Sequence, residues 1–216
     1  MLTRRTVLAT CAAVLAASGA VAAPAVYPDD MSMGNPKAKV QVIEYASLSC
    51  PHCGHFNETI FPTLKTKYID TGKVRYTLRE MLTEPMQVAA AGFMMARCAG
   101  PQKYFAVVDQ VFRSQSRWTS GNIKPILAEV GAANGLDAAK FDTCLKDQAA
   151  FDAINARAAR ASEQDGVNST PTLFINGVKV ETPQTPEELD TAIAAAMKTS
   201  APKPPAKKPT AKKGGH

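Results

Sequence analysis

Away from its two ends the sequence has no surplus of charge. The formal net charge is +6, yet Arg4 and Arg5 lie at the start and Lys203, Lys207, Lys208, Lys212 and Lys213 lie within the last fourteen residues. Without those seven, 18 basic residues stand against 19 acidic ones. That balance leaves no basic face for nucleic acid, and no nucleic-acid partner is expected. The chain also lacks internal repeats at solenoid periods, so it is not a repeat array. It lacks a long apolar run, because the stretch from Val7 to Ala17 is alanine-rich and short for a membrane span. What remains is a chain of 216 residues, 45 % of them hydrophobic, enough for one ordinary domain or a small one with an insertion.

The apolar stretch has the setting of an export signal. Arg4 and Arg5 form a charged head, Val7 to Ala17 the apolar part, and Ala20-Val21-Ala22 a small-residue cleavage site. The cut is placed after Ala22, since a cut after Ala23 would leave Pro24 next, and residues 1–22 are read as the signal peptide. Thr3-Arg4-Arg5 faintly resembles a twin-arginine signal. Cys11, preceded by Thr10 and set early in the apolar run, does not read as a lipoprotein cysteine. Export removes Cys11 and leaves Cys50, Cys53, Cys98 and Cys144 in an oxidising compartment. At the far end, residues 199–216 are rich in Lys, Pro and Ala and are expected to form a disordered, solvated tail.

Between these ends the periodicity changes twice. Residues 23–39 read as a leader with turn formers. Val40–Tyr45 is a β-rich run, a helix is expected over Phe56–Tyr68, and Val74–Leu78 is a second strand after the breaker Asp70-Thr71-Gly72. That is a strand–helix–strand unit of parallel type. Residues 85–166 carry only helical patterns: Gln87–Cys98, Gln102–Ser114, Ile123–Ala133, Ala138–Asp147 and Phe151–Gln164. Thr172–Ile175 and Val178–Glu181 then read as strands around an Asn176-Gly177 turn. A helix follows over Pro186–Met197, with Thr185 as N-cap and Glu187 and Glu188 in its first turn. The apolar positions Phe93, Met94, Met95, Phe105, Val108 and Phe112 read as helix core rather than as a groove.

The chemistry is concentrated in SLSCPHCGHF, residues 47–56. Haem attachment needs Cys-x-x-Cys-His, and here Gly54 follows Cys53. A structural zinc site needs four converging ligands, but only His52 and His55 accompany the two cysteines locally. A plain structural disulfide closing so small a loop adds little stability. A redox pair gives each residue a reason. Cys50, between a strand and a helix, stands at a helix N-terminus whose free amides and dipole favour a thiolate. Pro51 suits the first helical turn. His52 can offer a donor or a positive charge beside the Cys50 sulfur. Thr170-Pro171, immediately before a strand, is expected to be cis and to pack beside the cysteines, with the Thr170 backbone free for an extended substrate.

With VIEYASLSCPHCGHF, GVNSTPTLFINGVKV and the intervening helical block, residues 40–197 resemble the DsbA-like branch of the thioredoxin superfamily, the exported thiol–disulfide oxidoreductases of bacteria. The resemblance implies an α/β thioredoxin fold (βαβ…ββα) with an inserted all-helical domain: residues 40–84 and 167–198 as its halves, and 85–166 as the insertion. It further implies a solvent-exposed nucleophile at Cys50, a buried resolving cysteine at Cys53, a cis-proline at Pro171 and a buried acid at Glu44. A glutamate inside an apolar strand is otherwise unexpected, and a raised pKa would let it pass a proton to Cys53. The implied activity is donation of the Cys50–Cys53 disulfide to reduced, unfolded exported proteins in the periplasm. Reoxidation by a membrane quinone-linked partner of the DsbB type follows from the same resemblance.

No cofactor and no metal is called for, and a monomer is expected. An isomerase or reductase on the same fold is the alternative. The exported isomerases carry an N-terminal dimerisation domain, and residues 23–39 are too few for one, whereas Thr170 before the proline also occurs among isomerase-like members. A further alternative is a module in which Cys50, Cys53 and His55 hold soft copper without turnover. Cys98 and Cys144 lack an activating Pro or His and are read as a structural disulfide, worth roughly 4 kcal/mol in chain-entropy terms.

Overall fold

The computed structural model describes residues 24–119 and 121–199. The expected signal peptide with its cut after Ala22, and all but the first residue of the expected tail, lie outside the described residues. A five-stranded mixed sheet has the order β1-β3-β2-β4-β5. Its strands are β1 (Met31–Gly34), β2 (Val40–Ala46), β3 (Val74–Glu80), β4 (Thr172–Ile175) and β5 (Val178–Val180). β2 is central, parallel to β3 and antiparallel to β4. Its sequence VQVIEYA sends Val40, Val42 and Ala46 into the main core and Tyr45 to the opposite face with Met81, Ala161, Val167 and Phe174. That alternation is the period of two that a strand covered on both faces requires. Asn176 (φ 48°) and Gly177 (φ 78°) both adopt positive φ, as the tight turn between β4 and β5 demands.

Among the described residues eight α-helices accompany the sheet. α1 (Pro51–Thr59) leaves β2, and α2 (Phe61–Thr63) runs on into a π-helical turn over Leu64–Ile69. The single helix expected over Phe56–Tyr68 therefore starts earlier and is broken. Pro62 has no amide hydrogen to continue the ladder, so the backbone re-forms through Leu64 N–H to Ile60 O. The helical block comprises α3 (Met86–Cys98), α4 (Tyr104–Ser114), α5 (Ile123–Ala133), α6 (Ala138–Leu145) and α7 (Gln148–Glu163), and α8 (Pro186–Thr199) closes the described chain. Phe93, Met94, Met95, Val108 and Phe112 are buried in the main core, with Phe105 packed against it. Each such side chain contributes about 1.5–3 kcal/mol by burial. The fold is the thioredoxin fold with a helical insertion. Among the described residues no helix is long and apolar enough to cross a membrane.

Two features depart from the sequence reading. The leader contributes β1, which pairs antiparallel with β3 from Met31↔Leu78 to Gly34↔Arg75. The leader is also held by charge. Arg79 on β3 binds Asp30, the carbonyl of Ala25, the Tyr45 hydroxyl and Asp165, while Arg160 on α7 binds Asp29 and lies over the Tyr27 ring. Beside them, buried Glu80 receives Arg97 from α3 and Arg157 from α7. Every one of these charges has a partner of opposite sign, the condition for keeping ions out of water.

Candidate active site

β2 delivers the chain directly into α1, and Cys50 is the N-cap of that helix, with Pro51 at its first position. Cys50 N–H bonds Ser47 O at 3.0 Å, and Gly54 N–H bonds Cys50 O at 3.1 Å, which fixes the turn. Cys53 faces inward and is 0 % exposed. Both active-site cysteines are free thiols, while Cys98 and Cys144 form a disulfide joining α3 to α6. The Thr170-Pro171 peptide is cis, and Cys50 Sγ donates to the Thr170 carbonyl at 3.5 Å. Glu84-Pro85, ahead of α3, is also cis.

Cys50 is not the open nucleophile expected: only 7 % of it is exposed. The Thr170-Pro171 loop lies against its sulfur and covers one side. On the other side Gln115 Nε2 donates to Leu48 O (2.8 Å) and Cys50 O (3.2 Å) and closes the turn. A Cβ on Gly54 would lie 2.3 Å from Gln115 Oε1, so the absent side chain makes room for this tie. Two cavities lie at the start of α1. One, of about 250 Å³, is lined by His52, His55, Thr170, Pro171 and Gln184 among others. The second, of about 360 Å³, lies along Pro51, His55, Glu58, Gln115 and Trp118.

The two thiols are driven apart electrostatically. Cys50 is lowered to about 5, chiefly by the hydrogen bond from the Cys53 thiol. Burial opposes this, and the Thr170 side chain and the amides of Cys53 and His52 reinforce it. Cys53 is pushed upward by burial first, then by its hydrogen bond to Cys50 and by the charges of Glu44 and Cys50. The His52 amide is thus one of the groups that lower Cys50, and His52 itself is exposed and lines the same cavity as Thr170 and Pro171.

Glu44 is 2 % exposed and lies on the core-facing side of β2. Burial raises it to about 7, against the pull of a 2.6 Å hydrogen bond from Tyr76. Beneath the turn, Ser47, Ser49 and Thr83 satisfy one another through their hydroxyls. Gln115, Tyr76 and this hydroxyl cluster are site residues that the sequence reading passed over. Among the described residues no group of three or more His, Cys, Asp or Glu could hold a metal ion. The arrangement can accept attack at Cys50, release Cys53, and supply that leaving sulfur with a proton.

Comparison with known proteins agrees with this geometry. The family described as Thioredoxin matches residues 27–195. A putative protein-disulfide oxidoreductase of Rickettsia bellii (strain RML369-C) is 34 % identical over 155 residues, covering 71 % of this chain and 59 % of that protein. Its counterpart from Rickettsia typhi (strain ATCC VR-144 / Wilmington) is also 34 % identical, covering 71 % and 57 %. The chain thus spans somewhat over half the length of these curated relatives. Among solved structures, alpha-DsbA1 of Wolbachia pipientis superposes with a TM-score of 0.74 at 29 % identity, covering 81 % of this chain and 94 % of that one. Oxidised BdbD of Bacillus subtilis shares the fold at 21 % identity and a TM-score of 0.69, covering 83 % and 98 %.

Proposed function

The chain belongs to the thioredoxin family, in its DsbA-like branch, and on that premise we propose that it is an exported thiol:disulfide oxidoreductase of the oxidase type. The observation that carries the reading is the asymmetry of the pair: an acidic Cys50 at the helix start and a buried, weakly acidic Cys53 behind it. A stable Cys50 thiolate favours the reduced protein, so the disulfide is readily given away.

In the forward direction a substrate thiolate attacks Cys50 Sγ of the Cys50–Cys53 disulfide. The bond to Cys53 breaks, its electron pair stays on Cys53, and a mixed disulfide forms. Glu44, raised to about 7 and so still partly protonated at neutral pH, supplies the proton that Cys53 takes up. A second substrate thiolate then attacks the substrate's own sulfur in the mixed disulfide, and Cys50 leaves as its stable thiolate. The substrate dithiol is oxidised by two electrons and the protein is reduced by two. Thr170-Pro171, against Cys50, is the proposed seat of the substrate backbone.

The proposed setting is the bacterial periplasm, reached through the N-terminal export signal. The substrates are reduced, unfolded exported proteins, and reoxidation comes from a membrane quinone-linked partner of the DsbB type. The test mixes the oxidised protein with a reduced, unfolded disulfide protein and follows both by mass. One disulfide transferred per protein molecule is expected. No transfer, with efficient reduction of an oxidised substrate instead, reverses the assignment to a reductase.

A further inference from the structure

Tyr76 has no role in the chemistry above, yet it is the group that holds the acid. In the parallel register Val42 faces Tyr76 and Glu44 faces Leu78, so Tyr76 and Glu44 are diagonal neighbours on one face of the sheet. The phenol donates to Glu44 Oε2 at 2.6 Å, and both residues are 2 % exposed. Phe61 and Phe105 pack against the Tyr76 ring at 5.1 and 5.9 Å between centroids, which keeps the hydroxyl aimed at the carboxyl. Burial first, and then the Glu44 charge, raise the phenol well above its ordinary value, so it remains a donor. The other titratable groups that bear on Glu44 are Cys50, the N-cap of α1, and Cys53 on that helix, while Tyr104 on α4 and Cys53 bear on Tyr76. β4 sets Leu173 opposite Glu44, and α8 adds Leu189 and Ile193 to the surrounding core.

We propose that Tyr76 is a positioning residue for Glu44. Its phenol holds the carboxylate that Glu44 becomes on protonating Cys53, and so sets the pH at which the release of Cys53 switches. The bond is stronger to the charged acceptor than to the neutral acid. It therefore favours the step in which the substrate thiolate bonds to Cys50 Sγ, the Cys50–Cys53 bond breaks with its electron pair going to Cys53, and the proton leaves Glu44 for that sulfur. No oxidant or reductant beyond the substrate thiol and the protein disulfide enters. The proposal rests on the oxidase reading for its kinetic consequence, but not for the coupling itself.

The experiment titrates Glu44 directly by carboxyl-carbon NMR in the reduced wild type and in Tyr76→Phe, and measures disulfide transfer against pH in the same proteins. Tyr76→Phe keeps the ring packing and removes only the hydroxyl. The Glu44 midpoint should rise from about 7 by roughly one to two pH units. The inflection of the transfer rate should rise with it. Site-specific 3-fluorotyrosine at position 76, a more acidic donor, should move the midpoint the other way, and it keeps the test open should the phenylalanine variant fold poorly. In Glu44→Gln the inflection should vanish, and adding Tyr76→Phe should move nothing further. Normal transfer with an unmoved Glu44 titration in both variants overturns the role of Tyr76. A wild type that transfers no disulfide overturns the oxidase reading, a result visible without the carboxyl titration.

Discussion

Replacing Cys53 by alanine tests the origin of the acidic Cys50 thiol. With its pKa lowered to about 5, Cys50 is about 90 % thiolate at pH 6, whereas an ordinary cysteine there is ionised well below about 1 %. The hydrogen bond from the Cys53 thiol is the largest cause of that lowering. Hydrogen bonds to charged groups contribute about 1.5–3 kcal/mol, so its loss should raise Cys50 by about one to two pH units. The Thr170 side chain and the amides of His52 and Cys53 remain, so the thiol should not return to its ordinary value. At pH 6 the thiolate fraction should then fall from about 90 % to between about 10 and 50 %. Thiolate absorbance near 240 nm reads the fraction directly, and the pH dependence of Cys50 alkylation reads it independently. Equal midpoints in the two proteins would refute the reasoning, because the amides and Thr170 would then suffice alone. A wild-type midpoint near that of a free cysteine would remove the asymmetry on which the proposed activity stands. The same titration has a stability consequence of fixed sign. Folded Cys50 gives up its proton more readily than unfolded Cys50, so its contribution to the reduced protein is complete above about pH 9 and is lost as the pH falls through about 5. The disulfide form has no such thiol, and the gap between reduced and oxidised melting temperatures should change in favour of the reduced form from pH 5 to 9.

Three further outcomes are expected. Glu44, raised to about 7 from an ordinary 4.5, destabilises the fold by an amount that is absent below about pH 4.5 and complete above about pH 7; Glu44→Gln should therefore stabilise by roughly 3 kcal/mol at pH 8 and by little at pH 4, as read by denaturant titration at each pH. Gly54→Ala places a methyl 2.3 Å from Gln115 Oε1, so Gln115 must release the carbonyls of Leu48 and Cys50; a loss of about 1–3 kcal/mol and a faster alkylation of Cys50 are expected, and Gln115→Ala in the same background should add little. Replacing Cys98 and Cys144 together by serine should cost roughly 4 kcal/mol, since the disulfide spans a sequence separation of 46; unchanged chemical denaturation would show that the reduced chain is already held together there.

The parts legible in the sequence are those in which local chemistry and placement agree. Cys50 and Pro51 lie where a strand gives way to a helix, and a proline can open that helix because its missing amide hydrogen has no partner there. Asn176-Gly177 between two short apolar runs specifies its own turn. Other features depend on partners distant in the chain. Gln115 is an ordinary polar residue near the end of a helical pattern until folding sets it over the carbonyls of Leu48 and Cys50. Tyr76 looks like any aromatic in a strand until the register places its hydroxyl on Glu44. β1, Met-Ser-Met-Gly, is too short to show a period and exists because the β3 edge offers it hydrogen bonds. The degree of cover over Cys50 likewise belongs to two segments, one 65 and the other 120 residues away.

The buried ions around β3 bear on how the molecule comes apart. Arg79 and Glu80 belong to the sheet, Arg97 and Arg157 to the helical block, and Asp29 and Asp30 to the leader. Swinging the helices off the sheet would strip Glu80, whose side chain is 0 % exposed, of both its cations at once. Losing either cation while Glu80 stays buried costs about 3–5 kcal/mol. These pairs tie the helical block to the sheet. Sheet, helices and leader should melt in a single cooperative transition, with calorimetric and van't Hoff enthalpies in agreement, and limited proteolysis should release no stable half.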